Sequence, residues 1–268
     1  MLDSLRTGAE IDSSFAVTGD LNADGSVQPV GGVPAKIRGA ANRSCSYVGV
    51  PISAEKELID SVLMEGPAAL WEIQVFTVKT FEEALALAST KKSTELTESI
   101  TKFAEVQKVM LAQKSPTLLA NPKVQERLVA ILKAAPNCVS AKIMLAYGSG
   151  KLPKQLSLAG SLQKIDSITE NFIKRMKDPK AEGVQPDMLA NAISDLAKIR
   201  TKLDTRTIPF ADSIKDYGDV FRAVKANPPR SQNEADKALG RLNNAASRIK
   251  MEEDKIRSNK AIMEEVMK

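Results

Sequence analysis

The chain contains no histidine, and this absence excludes several classes of catalysis before any motif is considered. No Ser–His–Asp triad, Cys–His pair or imidazole metal ligand can form within its 268 residues. Cys45 and Cys138 are far apart and not in CxxC spacing, which argues against a zinc site or a disulfide framework. Cysteines that are so few and so far apart favour a reducing compartment such as the cytoplasm. Acid–base chemistry must therefore rest on carboxylates, tyrosine or lysine.

Aromatic residues make up only 4% of the chain, and no apolar run approaches the roughly 18–20 residues of a membrane-spanning helix. Residues 1–6 form too short and too charged a segment for a signal peptide. Residues 1–89 have a net charge of −6, whereas residues 90–268 have a net charge of +11. The net positive charge of the second part is compatible with a nucleic-acid partner. However, the part has few aromatic residues, and its lysines are dispersed among glutamates, which favours a solvated helical surface instead. We therefore expect neither a membrane span nor a nucleic-acid partner.

The change in charge coincides with a polar run over residues 89–94, where we place a domain boundary. Before it, short apolar runs alternate with helical patterns, which predicts an α/β or α+β domain over residues 1–89. After it, helical spacing alone predicts an all-helical domain over residues 93–268, in which residues 121–153 have the size of one helical-hairpin repeat. The predicted strands are 15–21, 27–30, 47–52 and 73–78, and the predicted helices before the boundary are 34–42, 54–64 and 81–88.

Two short motifs for ligands fail on inspection. Residues 20–25 begin like a calcium-binding loop, but Gly31 occupies the twelfth position, where a bidentate glutamate is needed. Residues 148–151 are similar to part of a phosphate-binding loop, yet Leu145 replaces its first glycine and Leu152 its serine or threonine. We therefore expect a hairpin turn at the first motif, a helix end at the second, and no nucleotide cofactor.

A lysine early in a helix is the strongest candidate for acid–base chemistry. The Gly31-Gly32 pair breaks the chain, and Pro34 is typical of a first helical turn, so Lys36 falls within that turn. The positive helix terminus and the apolar neighbours Ala35 and Ile37 both disfavour the ammonium form, which predicts a general base. The alternative is an ordinary exposed lysine, and the chemistry of the residues alone favours that alternative.

Several segments share their pattern with one family. Thr18-Gly19-Asp20 matches Thr-Gly-(Asp/Glu), and residues 29–36 match Pro-(Val/Ile)-Gly-Gly-x-x-x-Lys without a gap. Val50-Pro51 and residues 76–84 match a strand that ends in Ile-Pro and a final strand with its helix. Over about residues 1–88 the chain thus resembles the proteolytic domain of Lon proteases, serine endopeptidases that use a Ser–Lys dyad. The resemblance implies a polypeptide substrate, assembly into homo-oligomeric rings, Lys36 as the general base and Thr18 as the residue that orients its amine.

One essential part of the family pattern is missing from these 268 residues. The family's nucleophilic serine lies in a Pro-Asp-Gly-Pro-Ser-Ala-Gly segment upstream of the lysine, and Ser4, Ser13 and Ser14 do not lie in such a context. Residues 2–7 instead resemble the helix that follows the nucleophile. We therefore expect a partial Lon-type domain with an unprotected sheet edge, followed by a helical domain, and no peptidase activity from the chain alone. The alternative is a non-catalytic interaction module with a basic helical surface.

Overall fold

The computed structural model describes residues 10–177 and 186–266, except for the side chains of Phe172 and of residues 174–177. The chain divides into two compact units, residues 1–153 and residues 154–268. The first contains a small parallel sheet followed by helices, and the second is helical throughout its described residues. The predicted fold class, an α+β part followed by an all-helical part, is confirmed.

The strands of the first unit form a three-stranded parallel sheet and a separate antiparallel hairpin. They are β1 (Phe15–Val17), β2 (Asp20–Leu21), β3 (Val27–Gln28), β4 (Tyr47–Pro51) and β5 (Gln74–Val78). The parallel sheet has the order β1-β4-β5, and β2 pairs with β3. All residues of β4 and β5 are buried, as expected for parallel strands covered on both faces.

The single strand predicted over residues 15–21 is divided into β1 and β2. After β1 the chain leaves the parallel sheet at Gly19, where an added Cβ would lie 2.7 Å from the Val27 side chain. The predicted hairpin turn is confirmed, because Asn22 N–H donates to the Ser26 carbonyl over 3.0 Å. The Asp24 carboxylate accepts hydrogen bonds from the backbone and hydroxyl of Ser26, as in an Asx turn.

The helices of the first unit share one hydrophobic core with the sheet. They are α1 (Val33–Asn42), α2 (Ala54–Glu65), α3 (Ala68–Glu72), α4 (Phe81–Ala88), α5 (Thr94–Gln113), α6 (Pro122–Ala134) and α7 (Val139–Gly148), with a 3-10 turn over Pro116–Ala120. The short α3 was not predicted from the sequence. The core continues without a break from the sheet into α5, α6 and α7 through Phe103, Leu128 and Ile143. The boundary predicted at residues 89–93 thus lies inside this unit, and a separate domain from residue 93 stays a prediction.

The outer edge of β5 is covered by the segment that leads into α7. Thr77 N–H donates to the Asn137 carbonyl over 2.9 Å, and the Asn137 amide returns a 3.0 Å hydrogen bond to the Thr77 carbonyl. Val75 N–H donates to Ser140 Oγ over 2.6 Å. Among the described residues, no strand pairs with the outer edge of β1. The helical segment therefore protects one edge of the sheet, as folded proteins need to do.

Ser140→Ala is expected to lower the free energy of unfolding by about 1–3 kcal/mol, because it leaves the buried Val75 N–H without its partner. Ser140 is fully buried, so water cannot replace the lost hydroxyl. Urea unfolding measures the change. Ser149→Ala, which removes an exposed hydroxyl at the end of the same helix, is the matched control and is expected to cost less than about 0.5 kcal/mol. Equal effects of the two substitutions would contradict the role of Ser140 at the sheet edge.

The second unit is built from amphipathic helices around its own apolar core. They are α8 (Leu158–Lys177), α9 (Pro186–Ile199), α10 (Ile208–Ala226), α11 (Gln232–Arg257) and α12 (Lys260–Val266), with 3-10 turns over Arg200–Lys202 and Thr205–Thr207. The apolar side chains of α9 at Leu189, Ile193, Leu196 and Ile199 are buried, as are Leu158, Leu162 and Ile165 on α8. The side chains of Phe172 and Met176, further along α8, lie outside the described residues. None of the helices in ranges 10–177 and 186–266 combines the length and apolar character needed to cross a membrane.

The turn between α10 and α11 illustrates how local signals end and begin helices. Asn227-Pro228-Pro229 follows the last residue of α10, because proline lacks the N–H that a helix interior needs. Ser231 Oγ then accepts the Glu234 N–H at 3.3 Å and caps α11. The Glu234 carboxylate accepts the N–H of Arg230 at 2.7 Å rather than that of Ser231. Ser231 and Glu234 thus form a capping box whose second hydrogen bond is shifted by one residue.

Candidate active site

The two predicted site residues lie on one side of the first unit, where the parallel strands have their carboxyl ends. We call this end of the strands the carboxyl edge of the sheet, and the other end the amino edge. Thr18 directly follows β1, is half-buried, and donates its N–H to the Gly49 carbonyl of β4 over 3.0 Å. The helix α1 packs on β4 and ends shortly before β4 begins, so its first turn lies beside the carboxyl end of that strand. Lys36 belongs to this first turn. Ligands of open parallel sheets bind at this edge, which makes it the candidate site.

The surroundings of Lys36 differ in one respect from the expectation. Ile37 is buried, but Ala35 and Lys36 are both exposed, so apolar neighbours do not keep water away from the amine. The part of the prediction that rested on desolvation is therefore wrong. Lys36 keeps its place in the first turn of α1. The structure shows no hydrogen bond between the side chains of Thr18 and Lys36, and the orienting role of Thr18 stays a prediction.

A carboxyl group from the neighbouring helix lies near the start of α1. Glu57 on α2 is half-buried. Burial raises the pKa of Glu57, while the backbone of Val33 and Gly32 and the charge of Lys36 act in the opposite direction. Acidic residues in the first turn of α2 are an ordinary feature of helix starts, and no local signal in the sequence indicates that one of them lies near α1.

A second polar cluster lies at the opposite, amino edge of the sheet. The Asp12 carboxylate accepts hydrogen bonds of 2.6 Å each from Lys92 Nζ, the Tyr47 hydroxyl and Ser14 Oγ. Lys92 also donates to the Ser89 carbonyl over 2.8 Å and lies 5.1 Å from the centroid of the Tyr47 ring. These hydrogen bonds place the pKa of Asp12 well below its usual value, while burial, together with the hydrogen bond to Asp12, raises the pKa of Tyr47. The cluster ties the chain before β1 to the start of α5, a structural role.

Ser13 and Ser14, the serines weighed from the sequence that fall in the described residues, lie at the opposite edge of the sheet from Lys36. Ser14 belongs to the Asp12 cluster at the amino edge, and Ser13 precedes it in the chain. Burial raises the pKa of the Cys138 thiol to about 11, so this side chain stays protonated and unreactive. Ser4 and the predicted helix over residues 2–7 lie outside the described residues. Within ranges 10–177 and 186–266, no three cysteine, aspartate or glutamate side chains converge as a metal site requires.

Comparison with known proteins supports the resemblance over part of the chain. It is 31% identical over 109 residues to the archaeal Lon protease of Thermoplasma acidophilum, a match that spans 40% of this chain and 16% of that protein. It is 32% identical over 75 residues to Lon protease 2 of Bacillus subtilis, which spans 28% of this chain and 12% of that protein. Part of the chain is similar to Lon proteases. No family model matches it.

The extent of the Lon-like similarity bears on the predicted organisation. The 109 residues matched to the archaeal protein exceed the 88 residues of the predicted Lon-like segment. The similarity to Lon proteases therefore is not confined to the segment that carries the Gly-Gly-x-x-x-Lys pattern. In both comparisons the chain spans less than one fifth of the relative's length.

Proposed function

We propose that the first unit is part of a Lon-like serine endopeptidase and that Lys36 is the general base of its Ser–Lys dyad. The observation that carries this proposal is the position of Lys36. Lys36 follows the Gly31-Gly32 turn and belongs to the first turn of α1. It therefore lies at the carboxyl edge of the parallel sheet, on the side where Thr18 follows β1. The partial similarity to two Lon proteases supports the same assignment.

The proposed reaction is acyl transfer from a peptide to a serine hydroxyl. The serine Oγ attacks the peptide carbonyl carbon while the free amine of Lys36 takes the hydroxyl proton. The same proton then passes from Lys36 to the departing amine, and water hydrolyses the acyl-enzyme. Thr18, half-buried at the same edge, is proposed to orient the amine through its hydroxyl. Because the nucleophile context is missing from these 268 residues, we propose that polypeptide outside them supplies the serine.

The 268-residue chain is therefore expected to cleave neither labelled casein nor fluorogenic peptides above background. Joined to the upstream nucleophile segment of a Lon protease, it is expected to gain activity that Lys36→Ala lowers by about 100-fold or more, the usual contribution of a general base. Lys56→Ala is the matched control, because Lys56 is an exposed lysine on the neighbouring α2 and is expected to leave the rate unchanged.

Two outcomes contradict the proposal in different ways. If the 268-residue chain itself cleaves substrate and Lys36→Ala abolishes that cleavage, the expected inactivity is wrong but the assignment of Lys36 as the general base stands. A joined protein that folds but cleaves no substrate, or cleaves it equally well without Lys36, rejects the assignment of the base. In that case the chain is better regarded as a non-catalytic interaction module.

A further inference from the structure

A groove in the second unit lies where the chain turns back from α10 into α11. The two helices pack against each other and are joined by residues 227–231. The groove has a volume of about 510 Å³, within the usual range for ligand-binding clefts. The last turn of α10, the turn itself and one face of α11 line it. We call it the basic groove and define it by six of its lining residues, Val224, Arg230, Glu234, Lys237, Ala238 and Arg241.

Three exposed cationic side chains line the basic groove without a partner. Arg230 belongs to the turn, whereas Lys237 and Arg241 lie on α11. Within the part of the chain that the structure describes, none of these three side chains forms an ion pair or a hydrogen bond. Lys237 and Arg241 are four residues apart, so they are neighbours on the helix surface, where like charges repel each other. A bound anion would relieve this repulsion.

The acidic side chains next to these cations are occupied by local hydrogen bonds. The Glu234 carboxylate accepts the backbone N–H of Arg230 over 2.7 Å. The Asp236 carboxylate accepts the side-chain amide of Gln232 over 2.9 Å. The lining of the basic groove contains three cations and one carboxylate, Glu234, which gives it a net charge of +2. The groove therefore presents positive charge to solvent.

Cations elsewhere on the same two helices are paired. Lys215 and Arg222 lie 2.8 Å and 2.6 Å from Asp219, one turn away on α10. Arg248 of α11 lies 3.1 Å from Asp216 of α10, further from the turn. These pairs show that the surface of the helical hairpin can supply carboxylates to its cations. The basic groove is a place where it does not.

The turn that forms one side of the basic groove is rigid. Pro228 and Pro229 lie in it, and the ring of proline fixes a backbone angle. Asn227 N–H donates to the Ala223 carbonyl over 3.2 Å at the end of α10, and Ser231 caps the start of α11. Groups that are held in place before binding lose less conformational entropy when a ligand arrives. The groove is therefore suited to binding in the shape that the structure shows.

We propose that the basic groove binds an acidic peptide segment of a partner protein. Carboxylates of the peptide pair with Arg230, Lys237 and Arg241, and the planar guanidinium of arginine suits carboxylates in particular. An apolar side chain of the peptide contacts Val224 and Ala238, which are half-buried in the lining. This inference concerns the second unit and does not rest on the function proposed for Lys36.

The spacing of the cations favours a peptide over a single small anion. Lys237 and Arg241 are separated by about 6 Å along the axis of α11, since each helical residue rises 1.5 Å. Arg230 precedes the helix and lies in the turn. A segment with several carboxylates can meet such a row of cations, whereas one small anion meets only part of it. Exposed ion pairs of this kind speed association and are weakened by salt.

Fluorescence anisotropy on the full chain tests the proposal, with a labelled peptide of repeating Glu-Glu-Leu units as the probe. The triple variant Arg230→Gln, Lys237→Gln, Arg241→Gln is expected to bind the probe about 10-fold more weakly, because each exposed ion pair contributes up to about 5-fold. Each single substitution is expected to weaken binding by about 2-fold or more, and these variants decide if the triple variant does not fold. A neutral peptide of repeating Gln-Gln-Leu units is expected to show no binding.

A matched control removes the same number of positive charges elsewhere. The variant Lys108→Gln, Lys123→Gln, Lys250→Gln changes three exposed lysines outside the groove and is expected to keep binding within about 2-fold. A second control, Arg230→Lys with Arg241→Lys, keeps the charge of the groove and is expected to keep binding within about 3-fold.

Three outcomes overturn the proposal. If the original protein does not bind the acidic probe, the groove has no such ligand. If both triple variants lose binding equally, the net charge of the chain attracts the probe and the groove is not its site. If single-stranded oligothymidylate binds more tightly than the peptide and the groove variant loses that binding, the groove takes the phosphates of a nucleic acid instead.

Discussion

Gly148→Ala is expected to destabilise the first unit by about 3 kcal/mol or more, among the largest effects of any single-methyl change in the chain. A Cβ at Gly148 would overlap the carbonyl group of Leu119 and lie 3.0 Å from the Ala120 nitrogen. All of these are backbone atoms, which cannot rotate away as a side chain does. The end of α7 and the 3-10 turn over Pro116–Ala120 must therefore separate to admit the methyl group. Urea unfolding followed by circular dichroism measures the loss.

Gly39→Ala is the matched control for this substitution. Gly39 lies within α1, is exposed, and has no atom within 4 Å of an added Cβ. Alanine is the better helix former, so this variant is expected to be more stable by about 0.5–1 kcal/mol. The two glycine substitutions are thus expected to change the free energy of unfolding in opposite directions, because only Gly39 has space beside its Cα atom for a methyl group. A Gly148→Ala protein as stable as the original would show that α7 does not approach the turn so closely.

The elements of the fold were largely predictable because their signals are local. Asn121 accepts the Lys123 N–H at 2.9 Å and Ser231 accepts the Glu234 N–H, so residue types typical of the N-cap position mark the starts of α6 and α11. Gly150, with φ = 67°, follows the end of α7 in the manner of a helix-terminating glycine. The run over 15–21 was predicted as one strand because its apolar pattern is continuous, and only the exit of the chain from the sheet at Gly19 divides it.

The contacts that position the candidate site join residues far apart in the chain, and local patterns do not encode them. Thr18 and Gly49 are separated by a hairpin and an entire helix, and Ser140 covers β5 from well beyond the boundary predicted at residues 89–93. The exposure of Lys36 shows the same limit, since Ala35 is apolar in sequence but lies on the solvent side of α1. The residue type of the candidate base was readable from the sequence, whereas its environment depends on tertiary packing.

Asp12→Asn is expected to destabilise the first unit by about 2–3 kcal/mol at neutral pH, because it removes the charge that pairs with Lys92. The Lys92 side chain is only 10% exposed and lies 2.6 Å from Asp12, so water does not easily replace the carboxylate. The hydrogen bond to the Ser89 carbonyl and the Tyr47 ring remain as weaker partners for the ammonium group. The control is Glu65→Gln, which neutralises an exposed pair with Arg38 and is expected to cost less than about 1 kcal/mol.

The pH dependence of the destabilisation distinguishes the loss of the Asp12–Lys92 ion pair from a general packing defect. Lys92, Ser14 and Tyr47 lower the pKa of Asp12 in the folded chain below its ordinary value of 3.8, so the unfolded chain binds the proton more tightly. The stabilisation is therefore complete above that value and is lost as the pH falls from it towards the lowered pKa of Asp12 in the folded chain. The difference in unfolding free energy between the original protein and Asp12→Asn is expected to be largest near pH 7 and to shrink below about pH 4. A difference that stays constant across this range would mean that packing around Asp12, rather than its charge, stabilises the amino edge of the sheet.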